Sequence, residues 1–268
     1  ANTVGTYILT FNVSDVAGNP ATTLTRTINV LDTGAPTITL IGSNPINHEL
    51  NTVFTDPGAT ANDAADGDLT SSIVASGAVN ANTAGAYTLT YNVSDSQSNP
   101  APTITRNVIV ADTIAPVITL SGSAIVNVEQ GTTYTDAGAT ASDSIDGDLT
   151  TSISVGGSVN TSIRNSYTLT YNVSDAAGNV GTQLTRTINV VDTTAPIITL
   201  SGADPLNHEV GTIFTDPGAT ASDNIDGSLT SNIGVSGSVN ASVVGTYVLS
   251  YNVSDSAGNT ATTISRTV

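Results

Sequence analysis

The chain has 268 residues, of which 38% are hydrophobic and 4% aromatic, with no Cys, five Arg and no Lys, and a formal net charge of −17. Such a charge excludes the electrostatic attraction that nucleic acids and anionic membranes require, and it makes cations the natural partners. Without Cys there are no disulfides, and without Lys there is no Lys-to-Asn isopeptide staple, so stability must come from packing, strand ladders or bound ions. No apolar run approaches the roughly 20 residues of a membrane span, and no basic segment followed by an apolar core marks a signal peptide.

In chain order, the first recognisable element is YILTFNVSDVAGNP from Tyr7, and it returns as YTLTYNVSDSQSNP from Tyr87, YTLTYNVSDAAGNV from Tyr167 and YVLSYNVSDSAGNT from Tyr247. The strings DTGAPTITL from Asp32, DTIAPVITL from Asp112 and DTTAPIITL from Asp192 keep the same 80-residue spacing. A fixed period without insertions means one folding unit copied in tandem. The expected units are 32–111, 112–191 and 192–268, preceded by residues 1–31, which match 81–111 as the C-terminal part of a repeat. On this reading the chain opens partway through a unit.

Within a unit, Thr, Val, Ile and Tyr alternate in short runs between Gly, Pro, Asn and Asp, with no sustained helical period. Tyr87, Leu89, Tyr91 and Val93 fall on one face and Thr88, Thr90, Asn92 and Ser94 on the other, the pattern of a strand buried on one side. Similar runs are PTITLIG, GATAND, SSIVASG and APTITRNVIV. About seven short strands with turns every 8 to 12 residues predict an all-β fold of tandem Ig-like sandwiches. Short linkers stiffened by prolines such as Pro196 predict that these sandwiches stack end to end.

Strands that run up and down bring three acidic features to the linker end of each unit. The linker supplies Asp32, Asp112 or Asp192, and the G-A-T-A-x-D loop supplies Asp63, Asp66 and Asp68, then Asp143, Asp146 and Asp148, then Asp223 and Asp226, with Ser228 in the third place of the last copy. The V-S-D turn supplies Asp95, Asp175 or Asp255. They face the far end of the preceding unit, where Glu49 and Asp56 lie in INHELNTVFTDPG. Carboxylates at such density repel one another unless a cation sits among them, and Ca2+ suits flexible oxygen-rich coordination. The loop is not an EF-hand, because the Asp spacing differs and Ser154 stands where a bidentate Glu belongs. The competing reading is that these Asp residues only cap turns through nearby backbone amides.

One Arg recurs per unit (Arg26, Arg106, Arg186, Arg266) in the apolar phase of the last strand, and it is expected to pair with a carboxylate at the sandwich end, with Asp95 as the partner of Arg106. Arg164, outside the pattern, is expected to be solvated. His48 and His208 share a repeat position that is Val128 in the middle unit, so they read as tolerated strand residues and not as catalytic bases. No recurrent Ser, His and Asp set points to an enzyme. Tyr87, Tyr167 and Tyr247 are placed to bond upstream backbone like a tyrosine corner. The N-x-S sequons at Asn12, Asn92, Asn172 and Asn252, and those at Asn160 and Asn240, are explained by outward strand Asn pairing with Thr and Ser, although they also fit glycosylation.

The ordered combination D-T-x-A-P-x-I-T-L, G-A-T-A-x-D-x-x-D-G, G-x-Y-x-L-x-Y-x-V-x-D-x-x-G-N and T-R-T-x-x-V covers essentially the whole chain. It resembles the tandem bacterial Ig-like repeats of large secreted surface proteins, and is similar to hyalin-repeat and polycystic-kidney-disease domains. The resemblance implies an extracellular or cell-surface stalk, adhesin arm or filament whose partners are its neighbouring repeats, a surface glycan or protein, or further copies in a fibre. The linker is also similar to cadherin junctions, which implies Asp32, Asp112 and Asp192 as linker ligands of Ca2+; the additional Asn and Asp of the cadherin linker are absent.

Overall fold

A computed structural model describes residues 3–268 and is all-β, with short 3-10 turns as its only helices among the described residues. Its residues fall into two compact units. One holds the residues up to Ala115 together with Asp143–Gly147 and Asp175–Asn179, and the other holds Pro116–Ser142, Asp148–Ser174 and Val180–Val268.

The first unit opens with an antiparallel ribbon, β1 (Gly5–Phe11) and β2 (Leu24–Val30). Two sheets follow. The first sheet joins β3 (Thr37–Leu40), β5 (Ala59–Asp63) and the two-residue β6 (Gly67–Asp68). The second joins β4 (Ile46–Glu49), β9 (Ile104–Ala111), β8 (Gly85–Asn92) and β7 (Val74–Ser76), in that order. Ile46–Glu49, which the sequence reading left among turns, is a strand parallel to β9, with Ile46 opposite Val108 and Glu49 opposite Ala111. That pairing delivers Glu49 to the end of the sheet from which the next linker leaves.

The other unit repeats this plan. Its β10 (Val117–Leu120), β12 (Ala139–Asp143) and β13 (Gly147–Asp148) form one sheet. The facing order is β11 (Ile125–Glu129), β16 (Leu184–Val191), β15 (Ser166–Asn172) and β14 (Ser154–Gly156). A further pair of sheets consists of β17 (Ile197–Leu200), β18 (Ala219–Asp223) and β19 (Gly227–Ser228), then β20 (Gly234–Ser236), β21 (Val248–Asn252) and β22 (Ile264–Thr267). His208 lies in irregular backbone, not in a strand as expected, whereas His48 is in β4. Both imidazoles pack edge-on against a phenylalanine, Phe54 or Phe214. The middle copy substitutes Val128 and Tyr134 at these two places, so the position serves packing in every copy.

The cores are small and follow the period-2 pattern. Ile38, Ala59 and Ala61 from one sheet meet Leu89, Tyr91 and Val93 from the other, and the alanines let the sheets approach closely. Burial depends on having both sheets. Leu89 is 8% exposed and Tyr91 1%, whereas their counterparts in the β1–β2 ribbon, Leu9 and Phe11, are 45% and 50% exposed. Gly157 shows why a small residue recurs at the β14–β15 crossing: its φ is +93°, and a Cβ there would lie 2.3 Å from the Thr168 carbonyl oxygen.

Arg106, Arg186 and Arg266 are the largest side chains in their cores and are fully enclosed, whereas Arg26 in the β1–β2 ribbon is exposed. The expectation that Arg106 pairs with Asp95 is overturned: its Nη1 donates to Asp56 Oδ1 at 2.9 Å, and its Nη2 donates to the carbonyls of Ile41 (2.6 Å) and Gly58 (2.9 Å). Arg106 stands mid-strand opposite Leu89, so it reaches across the sandwich to the turn at Asp56, while Asp95 is taken by Asn99. Arg186–Asp136 and Arg266–Asp216 repeat the pair. Tyr91 completes the group, donating its hydroxyl to Asp56 Oδ2 at 2.7 Å while its ring lies 5.9 Å below the guanidinium carbon. The corner tyrosines bond backbone as expected: Tyr87, Tyr167 and Tyr247 donate to the carbonyls of Thr83, Ile163 and Val243, and Tyr7 does the same to Thr3. Arg164 is exposed, and the sequon residue Asn92 accepts a hydrogen bond from Thr103 across the ladder.

Removing Asp136 strands a buried cation, so Asp136→Ala is expected to cost about 3 kcal/mol, towards the low end for a broken buried pair because the carboxylate is partly solvated. Calorimetry should show a lowered transition for the compact unit that holds Asp136. Burial and the adjacent carboxylate push the Tyr171 phenol from 10.0 to about 12. The folded state therefore keeps a proton that the unfolded state has lost, and stability falls as pH rises from 10 towards 12. Alkaline unfolding and tyrosinate absorbance should rise together in that window.

Candidate cation sites at the repeat junctions

The acidic loop of each repeat is a tight turn that ends the central strand of the smaller sheet. Asp63 Oδ1 accepts the amides of Ala65 (2.7 Å) and Asp66 (3.1 Å); Asp143 does the same for Ile145 and Asp146, and Asp223 for Ile225 and Asp226. The turn aims its second aspartate at the V-S-D turn. Asp66 accepts from Ser96 N at 2.6 Å, Asp146 from Ala176 N at 2.6 Å and Asp226 from Ser256 N at 2.6 Å. The linker aspartate bonds its own chain two residues on, with Asp32, Asp112 and Asp192 accepting from the amides of Gly34, Ile114 and Thr194.

These bonds bring three carboxylates together in each copy. Oxygens of Asp32, Asp63 and Asp66 lie within 4.8 Å of one another, as do those of Asp112, Asp143 and Asp146, and those of Asp192, Asp223 and Asp226. The remaining aspartates singled out from the sequence are not in these clusters. Asp68 and Asp148 cap the following turns through Thr70 N and Thr150 N, both at 2.9 Å, and Ser228 takes that place in the last copy. Asp95, Asp175 and Asp255 are buried but engaged, each gripping the asparagine four residues on. Those asparagines in turn donate to the linker carbonyls of Asp32, Asp112 and Asp192, tying the V-S-D turn to the linker.

Turn capping accounts for only half of the clustered oxygens. In the linker aspartates and in Asp143 and Asp223 it is Oδ1 that caps, and Asp32 Oδ2, Asp143 Oδ2, Asp192 Oδ2 and Asp223 Oδ2 are buried with no hydrogen-bond partner. Asp192 is only 7% exposed and Asp63 5%. A buried carboxylate oxygen without a donor calls for an ion or a proton. Burial pushes the Asp192 carboxyl above the ordinary carboxylate value, reinforced by repulsion from Asp223 and Asp255; burial does the same at Asp112, with Asp143, Asp175 and Glu49 adding repulsion. Backbone amides of Ile145 and Asp146 hold Asp143 below it. Oxygens within about 4.8 Å of one another are close enough to share one ion at about 2.4 Å.

Glu49 and Glu129 lie outside the site predicted from the sequence, in which Glu49 belongs to the facing end of the preceding unit. Glu49 accepts from Thr113 N at 3.0 Å and from the Thr113 hydroxyl. Glu129 accepts from Thr193 N at 3.0 Å, Thr193 Oγ1 at 2.7 Å and Thr194 Oγ1 at 2.9 Å. The signal available in the sequence was its recurrence at the 80-residue period as Glu49, Glu129 and Glu209.

Three tandem segments, residues 38–110, 118–190 and 198–268, match the family described as "Bacterial surface protein, Ig-like domain", and the chain belongs to it. It is also 34% identical over 279 residues to Hyalin of Lytechinus variegatus, covering 96% of this chain and 51% of that protein. Hyalin of Strongylocentrotus purpuratus is 34% identical over 245 residues, covering 81% of this chain and 19% of the relative. The chain thus spans about half or less of the length of these relatives. A crystal structure of a lipoprotein from Bacteroides thetaiotaomicron is 17% identical, with a TM-score of 0.27 over 56% of this chain and 98% of that one, too low to carry an argument. Family membership makes the chain a structural repeat region of surface or extracellular type. Among the described residues no helix is long and apolar enough to cross a membrane.

In metal-free protein the Asp192 carboxyl should titrate above 3.8, the ordinary value. Carbon-detected NMR of the aspartate side chains reads this directly. Asp192→Asn removes an unpaired buried charge and should raise the melting temperature in chelator while abolishing any Ca2+-dependent rise from that site.

Proposed function

We propose that the chain is a load-bearing spacer of a bacterial surface or secreted protein, serving as stalk, adhesin arm or filament. Its units run 32–111, 112–191 and 192–268, stacked end to end after the partial repeat 1–31, and Ca2+ at the linker aspartates fixes their mutual angle. The observation that carries the cation reading is the enclosed Asp192 carboxylate, whose Oδ2 lacks a donor beside Asp223 and Asp226. In this reading Asp32, Asp63 and Asp66, then Asp112, Asp143 and Asp146, then Asp192, Asp223 and Asp226 are the ligands. Asp68, Asp148, Asp95, Asp175 and Asp255 shape the turns that hold them. The ion supplies positive charge where three carboxylates converge, and the protein holds those carboxylates on turns rigidified by backbone amides. Nothing in this role requires catalysis. Glycan or protein recognition, and polymerisation into fibres, belong to whatever the spacer presents or assembles with.

A ligand bound only to the folded state stabilises it by about 2.7 kcal/mol at 100 times its dissociation constant. Thermal melting should therefore shift upward with Ca2+ at millimolar levels and fall back with chelator. Small-angle scattering should show a longer, narrower distance distribution with the ion. If Ca2+ moves neither, the cation reading is wrong and the spacer role must rest on linker stiffness alone.

A further inference from the structure

The cross-repeat glutamate is the only side chain of a preceding repeat that the structure brings by hydrogen bonds onto the D-T linker, among the described residues, and it does so twice. Glu49 is the last residue of β4, held there by parallel pairing with β9, and it reaches Thr113, which directly follows Asp112. Glu129 ends β11 in the same way and reaches Thr193 and Thr194, directly after Asp192. Both Glu129 carboxylate oxygens accept from the Thr193 amide, so this carboxylate lies at the residue that directly follows Asp192. At the other junction Glu49 Oε1 is buried and unpartnered, because Ile114 stands where Thr194 would offer a hydroxyl. A glutamate of one repeat is thus fastened to the linker that carries one aspartate of the next triad, and the oxygens left buried without a donor are Asp192 Oδ2 and Asp223 Oδ2 at one junction and Asp143 Oδ2 and Glu49 Oε1 at the other.

We infer that Glu49 and Glu129 are clamp residues that couple the two functions of a junction: each fastens the next repeat's linker and adds its negative charge to the aspartate triad beside it. Cation occupancy and repeat docking are then a single linked equilibrium, since an ion that binds the docked arrangement better must favour docking by the same factor. Two consequences distinguish this from a site belonging to one repeat. A repeat that carries a triad but has lost the glutamate ahead of it binds the ion more weakly. An ion bound beside an intact clamp narrows the range of angles between the two repeats. The inference rests on the cation reading above.

The test uses the whole chain and Ca2+ itself. Calorimetric titration of the unaltered protein is compared with Glu129→Gln, which keeps shape and hydrogen-bond acceptance at one oxygen but removes the charge, and with the double variant Thr193→Val, Thr194→Val, which keeps the charge but removes both hydroxyls that Glu129 accepts from. Asp148→Asn serves as the charge-matched comparison, because Asp148 lies outside the cluster. Loss of a supporting group beside a metal commonly weakens binding about 10-fold to 100-fold, and one class of sites in Glu129→Gln should weaken by that much while Asp148→Asn leaves the isotherm unchanged. Spin labels placed by Ser158→Cys and Ser238→Cys, both at exposed positions in a chain without cysteine, read the inter-repeat distance. Ca2+ should sharpen that distribution in the unaltered protein and leave it broad in Glu129→Gln and in the double variant Thr193→Val, Thr194→Val. If Glu129→Gln binds with unchanged affinity and sharpens equally, the clamp inference is overturned and the cation reading stands. If the unaltered chain binds no Ca2+, both are overturned.

Discussion

The guanidinium groups of Arg106, Arg186 and Arg266 are charges held at no more than 1% exposure in a protein with very little positive charge to spare. A cation cannot be left in a sandwich core without partners, so each repeat must bring Asp56, Asp136 or Asp216, a tyrosine hydroxyl and two backbone carbonyls to one point. That requirement fixes the path of the T-D-x-G turn across the end of the small sheet. It also sets the distance between the sheets, because the carbonyls of Ile41 and Gly58 come from strand ends in the sheet opposite the arginine. The alanines and short strands that make the aliphatic core thin are compatible with a defined fold because this polar group specifies how the layers meet.

The junction presents the opposite electrostatic situation, since there like charges are concentrated and no arginine is supplied to them. Turn geometry explains why the aspartates are there, as each loop needs a side-chain acceptor for its amides. It does not explain why the second oxygen of Asp32, Asp143, Asp192 and Asp223 is enclosed without a donor. Buried negative charge destabilises a fold unless a cation or a proton neutralises it. The strand Ile46–Glu49 and its counterpart Ile125–Glu129 matter here beyond their hydrogen bonds, because the parallel pairing ends each of them at the exit linker. The same element that extends the large sheet therefore delivers the residue that grips the next repeat.

Much of this was legible beforehand. The 80-residue period reduced the fold to one unit, and alternation in Y-T-L-T-Y-N-V identified the buried face of the central strand residue by residue. The tyrosines at the start of that strand and the linker-end location of the aspartates also followed from local pattern and strand direction. The partner of the arginine did not, and neither did the strand at Ile46: Asp56 and Asp95 are equally plausible carboxylates in one dimension, separated only by which turn passes beneath the guanidinium. Parallel pairing over 60 residues of intervening chain leaves no local signature, and the four-residue run INHE, with one apolar residue in its first place, has no alternation to read.

Periodicity, strand alternation and turn chemistry are properties of neighbours along the chain, and for that reason the sequence alone determined the repeat, the all-β class and the identity of the acidic loops. The choice among carboxylates depends on distances between residues 30 to 65 positions apart, as with Asp66 and Ser96 or Glu49 and Thr113. Only the tertiary structure decided which aspartates share a site, which merely cap a turn, and which oxygen of each is left without a partner, because desolvation and hydrogen bonding act through space and not along the sequence.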